Sequence, residues 1–396
     1  MPLSGVRVVD LTRILAGPYA TMLLSDLGAE VVKIERPDGG DDTRGWGPPW
    51  VPGAGGASAY FTAVNRNKLS CTLDLKAAAG REILWRLVER SDVVISNFRP
   101  GVLDRLGFGW EAVRARAPRV VYAVINGYGA EGPAAAKPSF DVIVQGESGV
   151  MDLTGQPEGP PTRVGISLGD ETAGLLAVQG ILVALLVRER TGRGQLVEIA
   201  LHDGLLSLLT FQAQNWWAGG KAPTRIGNAH PSIVPYQTVP TADGWMNVGV
   251  GNERQWRRFC EAIGRPEWID EPRFRTNADR LVHREELVPM IEAIFRERTT
   301  AEWMTKLSEV DVPCGRIRPV AEALDSPEAR QRGMIVDVEG SDGAPLPLLG
   351  PAVKLSASPA RIRRRPPKLG EHTEEVLEEL GYSKDEIGDF SERGII

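Results

Sequence analysis

The chain of 396 residues has few of the side chains that form disulfide bridges or metal sites. Its three cysteines, Cys71, Cys260 and Cys314, and its four histidines are far apart in sequence and show no C-x-x-C spacing. This pattern excludes a disulfide framework, gives no zinc motif and predicts a reducing, cytoplasmic compartment. The N-terminus lacks the basic region and apolar core of a signal peptide, and no stretch approaches the ~20 apolar residues of a membrane span.

Several binding and catalytic motifs are also missing. The net charge of −6 argues against a nucleic-acid partner. No G-x-S-x-G nucleophile elbow and no G-x-x-x-x-G-K-[ST] phosphate loop occurs. The turn after the first predicted strand, residues 12–18, has one glycine instead of G-x-G-x-x-G. A nicotinamide dehydrogenase is therefore compatible with the predicted fold but not supported by the site.

The first two hundred residues alternate between short apolar strands and helices. This alternation predicts an α/β, Rossmann-like large domain with a parallel sheet covered on both faces. Near residue 235 the sequence pattern changes to that of a hairpin followed by helices, which predicts a smaller α+β domain. The expected boundaries are 1–205 with 325–396 for the large domain, 206–228 for a connector, 229–310 for the small domain and 311–324 for a return connector.

Asp170 is the acidic residue most suited to chemistry. It precedes a long apolar helical stretch, and a carboxylate at a helix N-terminus is expected to stay ionised, as a nucleophile must be. A helix N-cap without catalytic function is the competing interpretation. Polar and basic residues also lie in loops at 65–68, 96–101 and 127–129, which we place at the carboxyl ends of strands, where ligands of open α/β sheets bind.

Several longer motifs occur together and in order. They are Asp10-Leu11-Thr12-Arg13, Leu15-Ala16-Gly17-Pro18, the stretch 26–35 (DLGAEVVKIE), Asn97-Phe98-Arg99-Pro100-Gly101, Gly127-Tyr128-Gly129 and Leu369-Gly370-Glu371-His372-Thr373. Over nearly the whole chain this set resembles the family III CoA-transferases, which include formyl-CoA and carnitine CoA-transferases and the 2-methylacyl-CoA racemases. The resemblance implies an interlocked homodimer, a CoA thioester as substrate and no permanently bound cofactor.

The same resemblance places the catalytic aspartate on Asp170. It assigns CoA contacts to Arg36, Leu73, Asn97, Phe98, Arg105, Lys137 and Phe140. Arg and Lys suit the CoA phosphates, and apolar or aromatic side chains suit adenine. For the acid substrate we expect Arg44, Arg66 and His230, with Gly227 and Asn228 in the loop that replaces the glycine run of the formyl- and oxalyl-type members.

Phe140 separates two reactions within the family. Racemases resemble the transferases but carry a histidine before an aspartate, whereas this chain has Phe140-Asp141. Phenylalanine cannot transfer a proton, so transfer is favoured. With residues 41–49, the sequence is most similar to the branch that moves CoA from succinyl-CoA to dicarboxylates such as glutarate. The alternatives are a formyl-, oxalyl- or carnitine-type transferase, a 2-methylacyl-CoA racemase, and a CoA-binding protein without turnover.

Overall fold

The computed structural model describes every residue from 1 to 396, and the chain divides into two compact units. The larger unit contains residues 1–150, 164–214 and 326–396, and the smaller unit contains residues 151–163 and 215–325. Residues 151–163 therefore lie outside the larger unit, although we had predicted them inside it. Most of the first predicted connector, and the whole of the second, belongs to the smaller unit.

The strands and helices are numbered separately in chain order. The strands are β1 (Arg7–Asp10), β2 (Glu30–Glu35), β3 (Trp50–Val51), β4 (Ala57–Ser58), β5 (Lys68–Thr72), β6 (Val93–Ser96), β7 (Val121–Asn126), β8 (Leu196–Ala200), β9 (Tyr236–Pro240), β10 (Trp245–Gly249), β11 (Cys314–Arg316), β12 (Ile335–Glu339) and β13 (Pro345–Leu349). The helices are α1 (Ala16–Asp26), α2 (Ala59–Ala63), α3 (Ala78–Glu89), α4 (Val102–Leu106), α5 (Trp110–Arg116), α6 (Asp141–Glu147), α7 (Val150–Leu153), α8 (Leu168–Thr191), α9 (Leu201–Leu208), α10 (Thr210–Gly219), α11 (Glu253–Ala262), α12 (Asn277–Val282), α13 (Arg284–Phe295), α14 (Thr300–Glu309), α15 (Val320–Leu324), α16 (Pro327–Gln331), α17 (Thr373–Glu379) and α18 (Lys384–Glu392).

A six-stranded parallel sheet forms the centre of the larger unit. Its strand order is β5-β2-β1-β6-β7-β8, and every neighbouring pair runs in the same direction. Successive residues of a strand point to opposite faces, so Val8 and Val9 of β1 belong to two separate cores, and both are fully buried. Helices cover both faces, which confirms the predicted Rossmann-like architecture and explains why these strands read as apolar runs.

The smaller unit is built on an antiparallel sheet. Its three strands have the order β11-β10-β9, and the core against them is rich in aromatic side chains. Phe295 and Trp303, for example, stack with ring centroids 4.6 Å apart. Helices and an antiparallel sheet in one compact unit agree with the predicted α+β class.

One strand of the parallel sheet differs from the sequence-based prediction. Residues 65–68 were expected in a loop that follows a strand, but Asn65, Arg66 and Asn67 precede β5 and Lys68 is its first residue. β5 pairs with β2 at the edge of the sheet. Because Lys68 and Ser70 break the apolar pattern, hydrophobicity alone did not identify this strand.

Helix α8 is the single helix that is long and apolar enough to span a bilayer by length and composition: it has 24 residues, and an 18-residue window of it reaches a mean hydropathy of 1.6. This corrects the expectation that no stretch approaches a membrane span. The helix packs on α1 and on the sheet through Ala173, Ala177 and Ile181, all fully buried. Asp170 and Glu171 lie in its first turn.

A buried ion pair joins α1 to the segment before β5. The Arg66 guanidinium donates to both carboxylate oxygens of Asp26, at 3.0 and 2.6 Å, and both side chains are almost fully buried. The Asn67 amide adds a bond of 2.8 Å to the same carboxylate. Removing one partner of such a pair leaves the other charge buried without compensation.

We therefore expect Arg66→Met to lower the free energy of unfolding by about 3–5 kcal/mol, measured by urea denaturation. Arg114→Met is the matched control, because Arg114 pairs with Glu111 on the surface, where such pairs contribute about 0–1 kcal/mol. Equal losses in the two variants would contradict this account of Arg66.

Candidate active site

The parallel sheet has its topological switch point between β1 and β6. The chain continues from β1 to β2 on one side and reaches β6 on the other side only after β5. Loops that leave the carboxyl ends of two such strands diverge and open a crevice, which is where open α/β sheets bind ligands. Two clefts lie along this edge.

The first, here called the Asp170 cleft, has a volume of about 310 Å³. Its walls are residues 13–16 after β1, 97–100 after β6, 135–140 and Asp170. The second, the Arg36 cleft, has a volume of about 450 Å³ and is lined by residues 33–38 and 73–76. Arg13 lines both, so that the two clefts meet at this residue.

Asp170 is the third residue of α8 and not its N-cap. Ser167 occupies the cap position, without a side-chain cap bond. Burial, with the nearby charges of Asp141 and Glu171, raises the pKa of Asp170 to about 7. The helix N-terminus was expected to keep Asp170 ionised at neutral pH, whereas burial and two like charges act against that ionisation.

Asp141 of α6 supplies the carboxylate contact to the first turn of α8 that had been expected from Asp170. One of its oxygens accepts a bond from the Gly169 N–H at 2.8 Å, and the other accepts from the Gln145 amide at 2.8 Å. Gln145 in turn accepts from the Val164 N–H at 2.9 Å. A buried carboxylate therefore fixes the first turn of α8 and places a negative charge beside Asp170.

Tyr60 of α2 lies near Asp170. Its hydroxyl bonds the Ser167 side chain, and burial together with the Asp170 charge raises the pKa of Tyr60 above its ordinary value. The phenol is therefore protonated at neutral pH and keeps a donor for hydrogen bonds.

Six of the seven residues assigned to CoA line one of the two clefts. Asn97, Phe98, Lys137 and Phe140 line the Asp170 cleft, and Arg36 and Leu73 line the Arg36 cleft. Phe140 is 59% exposed, as a side chain open to a ligand must be. Lys137 is ion-paired with Glu147. Arg105 lies exposed on α4 and lines neither cleft.

Two of the arginines expected to bind the acid substrate are held by buried carboxylates. Arg44 donates to both oxygens of Glu35 at 2.7 Å and to the Pro367 carbonyl at 3.1 Å. Its guanidinium also lies over the Phe61 ring, 3.8 Å from the centroid. Arg66 has the partner Asp26 described above, and neither arginine lines a cleft. Both guanidinium groups already have carboxylate partners, and binding of the acid substrate by Arg44 and Arg66 stays a prediction.

Gly227, Asn228 and His230 belong to the smaller unit. Gly227 has a φ of +62° and donates its N–H to the Gly155 carbonyl at 3.1 Å. The Ala229 N–H donates to the Ile226 carbonyl at 3.3 Å. Both N–H groups are thus engaged within the unit. A substrate-binding function of Gly227, Asn228 and His230 stays a prediction.

The sequence analysis did not identify Arg13, Asp141 and Tyr60 as site residues. Arg13 and Asp141 are part of motifs that were quoted for other reasons, and Arg13 directly follows a predicted strand. Tyr60 lies on a five-residue helix with no motif around it. The contact between α2 and the start of α8 spans more than a hundred residues, and no local pattern predicts it.

Comparison with known proteins supports the assignment made from the motifs. The model of CoA-transferase family III matches residues 3–373. A "Succinate--glutarate CoA-transferase" of Agrobacterium fabrum is 41% identical over 382 residues, covering 96% of both chains. An "Acetyl-CoA:oxalate CoA-transferase" of Acetobacter aceti is 41% identical and covers 93% of both.

The fold leads to the same family. The crystal structure of a CAIB/BAIF family protein from Brucella suis superimposes with a TM-score of 0.86 at 40% identity, covering 96% of this chain and 99% of that one. Sequence motifs, the carboxylate at the switch point and the full-length matches agree, and the chain belongs to CoA-transferase family III.

Proposed function

We propose that this protein moves CoA from succinyl-CoA to a free dicarboxylate, with glutarate as the principal acceptor and Asp170 as the nucleophile. The observation that carries the proposal is Asp170 in the wall of a cleft that also contains Asn97, Phe98 and Phe140. The acids are taken from the relative named for succinate and glutarate, which matches along 96% of both chains.

The two clefts suit an elongated ligand. The Arg36 cleft carries Arg36 and Lys76 for the phosphates of CoA, and the Asp170 cleft would receive the thioester end. Cationic side chains at one end and a carboxyl at the other fit one molecule with both a phosphorylated and an acylated end. CoA enters as a substrate and leaves as a product, which needs no permanently bound cofactor.

The proposed reaction has four covalent steps. Asp170 attacks the thioester carbonyl of succinyl-CoA, the C–S bond breaks, and a mixed anhydride and the CoA thiolate form. The thiolate attacks the aspartyl carbonyl and releases succinate, which leaves an aspartyl-CoA thioester. The acceptor carboxylate attacks this thioester, the C–S bond breaks, and a second mixed anhydride and the free thiolate form. The thiolate finally attacks the acceptor acyl carbonyl, which gives the new acyl-CoA and restores Asp170. The exchange thus proceeds through a covalent enzyme intermediate.

The oxyanion that develops on each attacked carbonyl needs hydrogen-bond donors. We place these donors around the first turn of α8, with the Tyr60 hydroxyl close by. The Gly227 and Ala229 amides are already bonded within the smaller unit, which favours the α8 end over the alternative loop.

We further propose a cytoplasmic homodimer with interlocked chains. Helix α8 exposes Leu175, Val183 and Leu186 at 53%, 52% and 64%, and α9 exposes Leu206 and Leu208 at 42% and 45%. Exposed apolar side chains of this size on neighbouring helices are typical of surfaces that another chain covers.

A transfer to oxalate is the second candidate, because the relative named for acetyl-CoA and oxalate has the same 41% identity. Succinyl-CoA and acetyl-CoA should each be incubated with glutarate, oxalate, carnitine and a 2-methyl fatty acid, and the CoA esters identified by mass spectrometry. We expect glutaryl-CoA from succinyl-CoA. Oxalyl-CoA as the main product would favour the second candidate, and CoA binding without any product would leave only a binding function. Solvent deuterium at the α-carbon of a 2-methylacyl-CoA would indicate racemisation.

Asp170→Asn should abolish transfer, because an amide cannot form the anhydride. Intact-protein mass spectrometry after incubation with succinyl-CoA should detect a CoA adduct in the wild type and none in this variant. Glu171→Gln is the matched control, since it changes the adjacent carboxyl of the same turn and should still form the adduct. Full activity in Asp170→Asn would end the proposed mechanism.

The raised pKa of Asp170 predicts how kcat/KM depends on pH. Because the nucleophile must be ionised, kcat/KM should fall below pH 7 by about tenfold per pH unit. Asp141→Asn removes a negative charge that raises the pKa of Asp170, so the acidic limb should move to lower pH. Asp152→Asn, which changes an exposed carboxylate of the smaller unit, should leave the limb in place. If the acidic limb stays in place in Asp141→Asn, the limb does not report the titration of Asp170.

A further inference from the structure

Arg13 is a cation at the junction of the two clefts, and the proposed reaction gives it no function. It follows β1 at the switch point and is the one residue that lines both clefts. Its side chain is 40% exposed, so the guanidinium is open to a ligand. The central carbon of its guanidinium lies 5.0 Å from the centroid of the Phe98 ring, so the cation packs over an aromatic side chain of the cleft wall.

The backbone of Arg13 is fixed from two sides. Asn97 accepts a bond from the Arg13 N–H at 2.8 Å and donates one to the Arg13 carbonyl at 2.6 Å. The next residue, Ile14, has a φ of +71°, a left-handed conformation that costs a β-branched residue energy. The Ile14 N–H donates to Asp41 at 3.3 Å. These bonds hold Arg13 at the rim of the cleft.

The other cations of the region are less suited to a carboxylate in the Asp170 cleft. Arg44 is held by Glu35, and Lys137 is paired with Glu147. Arg99 lines the same cleft and is exposed, and it lacks the ring contact that Arg13 makes with Phe98. Arg13 has one long contact, 3.3 Å from Nη1 to Asp42, between two half-exposed side chains. Most of its five donors are therefore open to a ligand.

The acid substrate has to enter a negative site. Asp170 lies beside Asp141 and Glu171, and a dicarboxylate brings two further negative charges. The proximal carboxylate reacts at Asp170, so the distal one needs a cation elsewhere in the cleft. A guanidinium binds a carboxylate through two parallel hydrogen bonds, which gives both attraction and orientation.

We propose that Arg13 binds the distal carboxylate of the dicarboxylate and so selects dicarboxylates over monocarboxylates. This inference rests on the transferase function proposed above. Arg13 acts through substrate binding and takes no part in the covalent steps. A contact with a CoA phosphate is the competing function of a cation at this junction, and the test has to separate the two.

The test compares glutarate with pentanoate, which has the same chain length and lacks the distal carboxylate, at a fixed concentration of succinyl-CoA. The ratio of the two kcat/KM values cancels any effect on the donor half-reaction, which both acceptors share. Arg13→Gln should lower this ratio about 10- to 100-fold, the usual loss for a hydrogen bond to a charged group. Arg13→Lys should restore part of it. The Kd of free CoA, measured by calorimetry, should change less than about threefold.

Arg99→Gln is the matched control, because it removes a guanidinium from the same cleft and should leave the ratio within about threefold of the wild type. An unchanged ratio in Arg13→Gln, with glutarate still accepted by the wild type, would overturn the inference alone. A lower affinity of Arg13→Gln for CoA, with an unchanged ratio of the two kcat/KM values, would also overturn the inference, because Arg13 would then bind a CoA phosphate. A wild type that uses neither acid would overturn the proposed function as well.

Discussion

The site depends on a buried ion pair beneath the carboxyl ends of β1 and β2. The Lys33 ammonium is fully buried, 2.9 Å from an Asp41 oxygen, and donates to the Thr12 carbonyl at 2.8 Å. Although burial acts to lower it, the pKa of Lys33 lies above its ordinary value because of Asp41 and other carboxylates around it. Asp41 also accepts from Ile14 at 3.3 Å. The pair thus ties the loop after β1, which carries Arg13, to the loop after β2.

The Asp170 carboxyl, the proposed nucleophile, is in a less favourable environment than its helix position suggests. Burial and two acidic neighbours raise the pKa of Asp170 to about 7, so the folded protein holds a proton there that the unfolded chain releases near pH 4. Stability from this group therefore falls as the pH rises through 7. In return, the ionised form is poorly solvated and more reactive toward a thioester carbonyl. Carboxyl groups with a pKa raised in this way are typical of functional sites, which lower the stability of the folded protein.

Much of the fold was predictable because the parallel sheet is buried on both faces. Apolar strands such as β6 and β7 are recognisable when helices alternate with them, whereas β5, with Lys68 and Ser70, was missed because its polar side chains find buried partners. The motifs predicted Asp170 as the nucleophile and a set of CoA contacts, and both stay predictions. Arg44 and Arg66, predicted to bind the acid substrate, are held by Glu35 and Asp26. An arginine in a sequence carries no sign of whether a carboxylate from another element already holds it.

Hydrophobic periodicity and ordered motifs are local properties of the chain, so the alternation of strands and helices and the family followed from the sequence, which also predicts Asp170 as the nucleophile. The environment of Asp170 and the pairing of the cations around it are set by the fold. Asp141 reaches the start of α8 from an element 28 residues away, and Asn97 fixes Arg13 across 84 residues. Charges and hydrogen bonds of this kind depend on distance in space, which only the folded chain sets.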